Sequence, residues 1–412
     1  MHVLYFHQHF STPDGAAGTR SYEMAQALIR AGHSVTMVCG SYSQGETGLK
    51  TQFVKGRRRG NVDGIDVIEF ALDYGNHLGF AQRIGVFAKF AIGSIGIAMR
   101  EKCDVVFATT TPLTAGIPGI FARWLRRKPF VFEVRDLWPE LPKAMGVITN
   151  PLVLWLMSVL EWCSYRSADR LIGLSPGIVD GIAARGVHRD RIELVPNGCD
   201  LDLFSTPAEV WRPEGVSEDQ FLAIFTGTHG NANGLDAVLD AAKELQARGR
   251  DDIRIALVGH GREKQSLQLR AQEENIANVL FLDPVPKTKL AGLMGGADVG
   301  LQVLRNVPAF YFGTSPNKFF DYISAGLPVV NNYPGWVSEL ITENRCGYAV
   351  PPDDPKAFGD ALEQAADNRQ VLPEFSANAT GLAKREFSRE LLALRWVSWV
   401  TGVTSQSEGP RR

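Results

Sequence analysis

Lys318 and Asp321 lie about one helical turn apart in the stretch Thr314-Ser315-Pro316-Asn317-Lys318-Phe319-Phe320-Asp321-Tyr322-Ile323-Ser324-Ala325-Gly326-Leu327-Pro328-Val329-Val330. The stretch reads as a polar loop, a short helix and a Gly-x-Pro turn into a strand. Ser315 and Pro316 suit a helix start, because proline is tolerated where a backbone N–H has no intrahelical partner. A helix beginning there points free N–H groups and a positive dipole end at its entrance, which is a seat for phosphate. With Asn317, Lys318 places a cation beside that seat, and Asp321 can accept hydrogen bonds from a ribose. Together these groups describe a nucleotide-sugar site. A capped surface helix carrying a solvated Lys and Asp fits the same residues, and this stretch alone does not choose between the two.

Further candidates sit in loops that follow apolar strands. One loop runs from Ser11 through Gly15, Gly18 and Arg20; another holds Thr228, His229, Gly230 and Asn231; a third is Gly259-His260-Gly261-Arg262. Small residues at a strand end let a ligand approach the backbone. Arg135 and Asp136 follow the strand pattern Phe130–Val134, at the carboxyl end where open α/β sheets take their ligands. An Arg–Asp pair that merely ties down a loop is the plainer alternative.

The elements around these loops alternate. Largely apolar runs at 2–6, 35–39, 67–70, 104–108, 130–134, 171–174 and 192–195 read as buried strands, with helical patterns between them. A second series starts at 221–225 and continues at 253–258, 279–282, 299–303 and 328–330. Repeated βαβ units imply parallel sheets. Residues 45–64, with Arg57-Arg58-Arg59, read as a polar mobile loop, and 203–219 read as a linker. Residues 79–100 and 151–167 read as apolar helices, 391–400 as a closing helix, and the tail from Ser405 as disordered.

The chain has 412 residues, too many for a single core, so two domains are expected. Net charge is −2, which gives no case for a nucleic-acid partner. The five cysteines are widely spaced without a Cys-x-x-Cys, so neither a disulfide frame nor a zinc site is suggested. The N-terminus lacks the basic flank and cleavage pattern of a secretory signal, and no uncharged apolar run is long enough to cross a bilayer. A cytoplasmic location is the expectation.

The motif set resembles the retaining family-four glycosyltransferases. Val195-Pro196-Asn197-Gly198-Cys199-Asp200 is similar to their Pro-Asn-Gly-x-Asp segment before the interdomain linker. Gly259-His260-Gly261 is similar to their second-domain Gly-x-Gly turn, and Asp321 to Val329 to their Glu-Ala-x-Ala-x-Gly-x-Pro-Val donor motif. Gly15 to Arg20 stands where the family has its first glycine loop. Val134–Pro139, Ser315–Asp321 and Asn331–Trp336 resemble the O-antigen and capsule N-acetyl-L-fucosamine transferase branch.

The resemblance implies an α/β fold of two Rossmann-like domains facing across a cleft, the GT-B arrangement. On this basis 1–204 would be an acceptor-binding domain, 205–219 a linker and 220–384 a nucleotide-sugar domain. A helix at about 385–404 would pack back on the first domain.

Four positions depart from the common family pattern. Gly313 stands where the first of two Glu would be, Thr228 and Asn233 replace an Arg and a Lys, and Arg135 replaces a His. Another cation must then meet the leaving diphosphate: Lys318 first, then Arg262 and Arg20, with N–H groups around His229 to Asn231.

The resemblance further implies transfer of a sugar from a UDP-sugar with retention, to a glycan or a polyprenyl-diphosphate-linked acceptor, without metal or other cofactor. Lys318, Arg135 and Asp136 are the residues expected to act. Basic residues beside apolar helices (Arg83, Lys89, Arg123, Arg126, Arg127, Lys128) suit peripheral contact with the inner membrane, although segment 151–162 itself is expected in the core. A UDP-sugar 2-epimerase of the same fold and a non-catalytic nucleotide-sugar-binding protein are the alternatives.

Overall fold

The computed structural model describes residues 1–15, 18–43, 45–75, 78–204 and 209–404. Ala16 and Ala17 of the first glycine loop, the start of the expected linker and the expected disordered tail lie outside them. The chain divides into two compact units. The first comprises Met1–Pro196, Gly313–Ser315 and the closing segment from Glu390; the second comprises Asn197–Phe312 and Pro316–Arg389.

The first unit is built on an eight-stranded sheet. Its strands are β1 (His2–Phe6), β2 (Ser34–Tyr42), β3 (Arg57–Val62), β4 (Ile65–Tyr74), β5 (Val105–Thr109), β6 (Phe130–Val134), β7 (Arg170–Gly173) and β8 (Ile192–Leu194). They lie in the order β3-β4-β2-β1-β5-β6-β7-β8, parallel except for β3, which pairs antiparallel with β4. Its helices are α1 (Arg20–Arg30), α2 (Phe80–Arg100), α3 (Ile117–Leu125), α4 (Glu140–Ala144), α5 (Pro151–Ser167) and α6 (Pro176–Ala184). Strands β1, β5 and, apart from Glu133, β6 are apolar without alternation because helices cover both faces of a parallel sheet.

Strand β3 corrects the expected loop at 45–64. Two of the three arginines meet charged partners at this edge hairpin. Arg58 meets Glu69 at 2.8 Å, while Arg59 meets Asp66 at 2.6 Å and Glu101 at 2.9 Å. A sequence this polar still forms a strand because it lies at the sheet edge, where charge also discourages pairing with another chain.

The second unit carries α7 (Leu201–Phe204) and six parallel strands: β9 (Phe221–Thr226), β10 (Ile253–Val258), β11 (Val279–Leu282), β12 (Val299–Gln302), β13 (Val329–Asn331) and β14 (Gly347–Ala349). Their order is β11-β10-β9-β12-β13-β14. The helices are α8 (Asp236–Ala247), α9 (Lys264–Glu273), α10 (Lys287–Gly296), α11 (Pro308–Gly313), α12 (Asn317–Ser324), α13 (Trp336–Glu343), α14 (Pro355–Asp367) and α15 (Leu372–Glu386), followed by α16 (Arg389–Thr401). Trp211, inside the expected linker, is instead fixed to α10: its indole N–H donates to the Lys289 carbonyl at 2.7 Å.

In each sheet the strand order reverses direction at one point, between β1 and β5 in the first and between β9 and β12 in the second. Ligands of open α/β sheets bind outside the carboxyl ends of the strands at such points. The loops singled out from the sequence leave β1, β9 and β10.

Helix α16 belongs to the first unit's core. Trp396 is fully buried, stacks at 6.0 Å on Tyr5 and meets Phe107 edge-on at 4.7 Å.

Helix α5 does not lie in the core as expected. Leu152, Trp155, Leu156, Val159 and Trp162 are all exposed, Trp155 by 60%. On α3, Phe121, Trp124 and Leu125 are exposed as well. Apolar composition alone could not say which face of a helix with so little amphipathic contrast would be covered.

Candidate functional site

In the second unit the chain leaves β9 through Thr226-Gly227-Thr228-His229-Gly230 and enters a short turn at Asn231–Asn233. This loop is laced to the one after β10. The His229 N–H donates to the His260 carbonyl at 3.0 Å, and the Glu263 N–H to the His229 carbonyl at 3.0 Å. A Cβ on Gly259 would come within 1.8 Å of the Gly227 carbonyl oxygen, and one on Gly261 within 2.2 Å of that of His229. Glycine is required at both places because two backbones touch there.

Helix α12 is locked over the switch point from the other side. The Tyr322 hydroxyl accepts the Thr226 N–H at 3.0 Å, and its ring occupies the space a side chain at Gly300 would need. One turn earlier on the same helix, the Lys318 ammonium donates to Asn233 Oδ1 at 3.0 Å and lies 5.1 Å from the Phe225 ring centre. Asn233 in turn donates from its amide to the Thr228 carbonyl at 2.7 Å. A single asparagine thus holds the β9 loop closed and fixes the lysine against it. The Lys318 stem runs past Gly227, its Cε 3.4 Å from where a Cβ would stand, which is ordinary van der Waals contact. Burial pulls the Lys318 ammonium down to about 8, opposed by the Asp321 carboxylate.

The entrance of α12 differs from those of α5, α6 and α14. Asn150, Ser175 and Asp354 cap those helices with side-chain oxygens. Pro316, the residue before α12, has no side-chain oxygen to cap the helix, and the Phe319 N–H donates to the Pro316 carbonyl at 3.1 Å. Burial lifts the Asp321 carboxyl to about 6, against the pull of Lys287 and Arg389 and with a smaller upward push from Asp200.

Of the residues expected from sequence, Thr228, Gly230, Asn231, Gly259, Gly261, Asn317, Lys318 and Asp321 all belong to the second unit. Lys318 meets the β9 loop through Asn233 and Gly227. His229 is a correction. Its N–H is taken by His260, its imidazole is fully buried, and both ring nitrogens lack hydrogen-bond partners. Burial, with help from Lys264 and His260, lowers that ring to about 4, so it is a neutral loop-packing residue. Arg262 is exposed at the turn into α9.

Arg20 is the second correction. It lies in the first unit, where its guanidinium binds Glu133 at 2.9 Å and the carbonyls of Val195 at 2.8 Å and Pro196 at 2.6 Å. Only 8% of its side chain is exposed, which leaves no face for a phosphate.

Arg135 and Asp136 are not paired with each other. Arg135 Nε donates to Thr109 Oγ1 at 2.8 Å and to Glu133 Oε1 at 3.2 Å, and its Nη2 donates to Ser21 Oγ at 2.8 Å. The Asp136 carboxylate accepts from the Thr111 hydroxyl at 3.4 Å, and burial pushes its carboxyl up, against Arg135.

The organising residue of this cluster, Glu133, was missed. It is fully buried and binds both arginines, Thr109 and the Trp396 indole N–H. Burial pushes its carboxyl up, but Arg20 and Arg135 outweigh that and hold it down at about 2. A lone carboxylate inside the run Phe130–Val134 was the readable signal. The polar run His7-Gln8-His9 immediately after β1 is a second such signal.

The comparisons bear on this geometry. Residues 15–198 match the family model described as glycosyl transferase 4-like domain, and residues 220–368 match the one described as glycosyl transferases group 1. The chain is 24% identical over 298 residues to the probable glycosyltransferase WbjE of Pseudomonas aeruginosa, which covers 70% of this chain and 72% of that one. It is 30% identical over 214 residues to a D-inositol 3-phosphate glycosyltransferase of Paenarthrobacter aurescens, half of each chain. Among solved structures, the sucrose-phosphate synthase of Thermosynechococcus elongatus superposes with a TM-score of 0.74 at 15% identity, covering 98% of this chain and 99% of that one. Anabaena HepE, solved with UDP and glucose, gives 0.67 at 17% identity, covering 97% and 99%. At these identities the structural likeness speaks for the two-domain α/β fold of the GT-B glycosyltransferases.

Proposed function

We propose, from the premise that this chain belongs to the glycosyltransferases, that it moves a sugar from a UDP-sugar to a hydroxyl of a glycan or polyprenyl-diphosphate-linked acceptor, with retention of configuration. The observation that carries the donor assignment is Lys318 held by Asn233 against the β9 loop. The common family pattern has an arginine and a lysine in that loop; here one cation is delivered to it from α12.

The chemistry follows from where charge develops. As the glycosidic bond to the nucleotide breaks, negative charge grows on the departing diphosphate. A preorganised cation and helix N–H groups stabilise it most in the transition state, which is what accelerates the step. Lys318 supplies the cation, and the positive dipole end of α12 adds to it. Asp321 accepts from ribose hydroxyls, and no residue is assigned a covalent nucleophile's role. In the first unit, Arg135 and Asp136 orient the acceptor hydroxyl. No divalent metal is assigned a part.

The transferred sugar is proposed to be an N-acetylated deoxyhexosamine, and the setting bacterial surface polysaccharide synthesis. The sugar rests on the motifs shared with the N-acetyl-L-fucosamine transferase branch, and the setting is supported by the name of a relative, the putative colanic acid biosynthesis glycosyltransferase WcaL of Escherichia coli. HepE's solved complex contains UDP, which supports the donor class. Among the described residues no helix is long and apolar enough to cross a membrane. The exposed faces of α3 and α5, next to Arg127, Lys128 and Arg166, support peripheral docking on an anionic leaflet from the cytoplasmic side.

The test is product analysis. Incubation with UDP-N-acetyl-hexosamines and candidate polyprenyl-diphosphate sugars should release UDP and give a product with the donor's anomeric configuration by NMR. An inverted product, or free UDP-sugar epimer formed without acceptor, would overturn the reading.

A further inference from the structure

At the switch point of the first unit's sheet, just past β1, consecutive side chains carry buried polar atoms with nothing to bind. His7 and Gln8 are 4% and 1% exposed. His7 Nδ1, both amide atoms of Gln8, and His9 Nδ1 have no hydrogen-bond partner. Buried polar groups are almost always satisfied, so such a concentration asks for a missing partner. The backbone there is fixed, since His7 N–H donates to Val38 and Gly40 N–H to Gln8, each at 3.0 Å. The gap is therefore in the side chains and is not a loose loop.

Aromatic rings wall the place toward solvent. The His9 ring lies 4.5 Å from Tyr74, 5.0 Å from Tyr42 and 6.4 Å from Phe87. Tyr42, Tyr74 and Phe87 are half-buried, so part of each ring is open to a ligand. Burial, then the Arg135 charge, keeps both imidazoles in the neutral form. A neutral imidazole presents one donor and one acceptor, and an amide presents both as well. This wall carries no formal charge of its own and suits a ligand rich in hydroxyls with an apolar ring face to lay on an aromatic side chain.

We propose that His7, Gln8, His9, Tyr42, Tyr74 and Phe87 form a subsite that reads an uncharged pyranose ring of the acceptor. The proposal rests on the transfer reading above and deepens it by naming the acceptor's chemical class and the residues that select it. Gln8 and His7 take ring hydroxyls, and Tyr74 with Tyr42 cover the ring's apolar face. The set itself carries no formal charge; the Arg83 guanidinium lies 5.9 Å over the Tyr74 ring, and Arg135 is tied to Glu133.

Saturation-transfer NMR tests this with methyl glycosides of glucose, galactose, N-acetylglucosamine and rhamnose, and with UDP in the same sample as an independent ligand. The wild type should transfer saturation to at least one neutral pyranoside. Gln8→Leu and Tyr74→Ala should each weaken that binding about tenfold, the size of one or two lost buried contacts, while UDP signals stay as they were. Gln8→Leu keeps the volume and removes the unsatisfied amide, so its melting temperature should not fall. Tyr74→Ala probes the rim if it does.

UDP binding without pyranoside binding, or pyranoside binding unchanged in both variants, would overturn the subsite and leave the donor reading standing. Pyranoside binding lost in the variants but no UDP binding in any of them would overturn the donor reading and keep the subsite.

Discussion

Replacing Lys318 by methionine separates function from stability in opposite directions. The ammonium is largely buried beside the β9 loop, and burial brings it from 10.5 to about 8. A lysine whose folded value is depressed costs stability wherever the unfolded chain is protonated. The cost is full below pH 8 and disappears as pH rises toward the unfolded value. At about 1.4 kcal/mol per unit the penalty at pH 7 is at most about 3 kcal/mol. Methionine keeps the apolar stem and removes the charge, so the variant should melt higher than wild type at pH 7, and the two should converge by pH 10.

Turnover should move the other way. A cation about 4 Å from the leaving phosphate, at an effective dielectric of about 20, contributes about 4 kcal/mol, or roughly a thousandfold in rate. The assay is UDP release at saturating donor, beside a thermal melt. Wild-type kcat/KM should also fall as pH rises through about 8, an alkaline limb the variant lacks. Near-normal turnover in Lys318→Met would refute the assigned role. A lowered melting temperature would show that the lysine serves the fold.

Asp321, raised to about 6 by burial, costs stability progressively as pH rises from about 4 to 6; Asp321→Asn should therefore raise the melting temperature at pH 7. If the ionised carboxylate binds ribose, calorimetry should show wild-type UDP affinity dropping as pH falls through about 6 and the variant's staying flat. Glu133→Ala leaves two guanidiniums facing an empty buried site and should cost about 3–5 kcal/mol in chemical denaturation. Because Glu133 is held at about 2, its contribution is present above about pH 4 and is lost as pH falls toward 2. Trp155→Ser with Trp162→Ser, at two exposed positions, should abolish sedimentation with anionic vesicles while leaving the melt within about 1 kcal/mol of wild type; unchanged sedimentation would remove the membrane assignment.

The parallel sheets were legible because strands buried on both faces are largely apolar without alternation; β1, β5 and β9 follow that rule, and β6 and β10 follow it apart from Glu133 and Arg254. β3 was not, since an edge strand may be polar throughout and takes its conformation from β4. The α12 site was legible as a local pattern of Lys318, Asp321 and a proline-led helix entrance. Asn233 was noted only as a departure, and its role as the tether of Lys318 depends on a contact 85 residues away in sequence. Arg20 looked like a free cation because its partners, Glu133 on β6 and the Val195 and Pro196 carbonyls just past β8, are distant in sequence. The α5 tryptophans were assigned to the core because composition reports burial on average and cannot say which neighbour is missing.

The central claim is that the second unit seats a uridine diphosphate through Lys318 and the entrance of α12. Isothermal titration of UDP into wild type and Lys318→Met, each with and without EDTA, tests it most directly. The account expects binding in the wild type that EDTA does not change and that weakens by at least about tenfold in the variant. Equal UDP affinity in the two proteins, or none in the wild type, would contradict it.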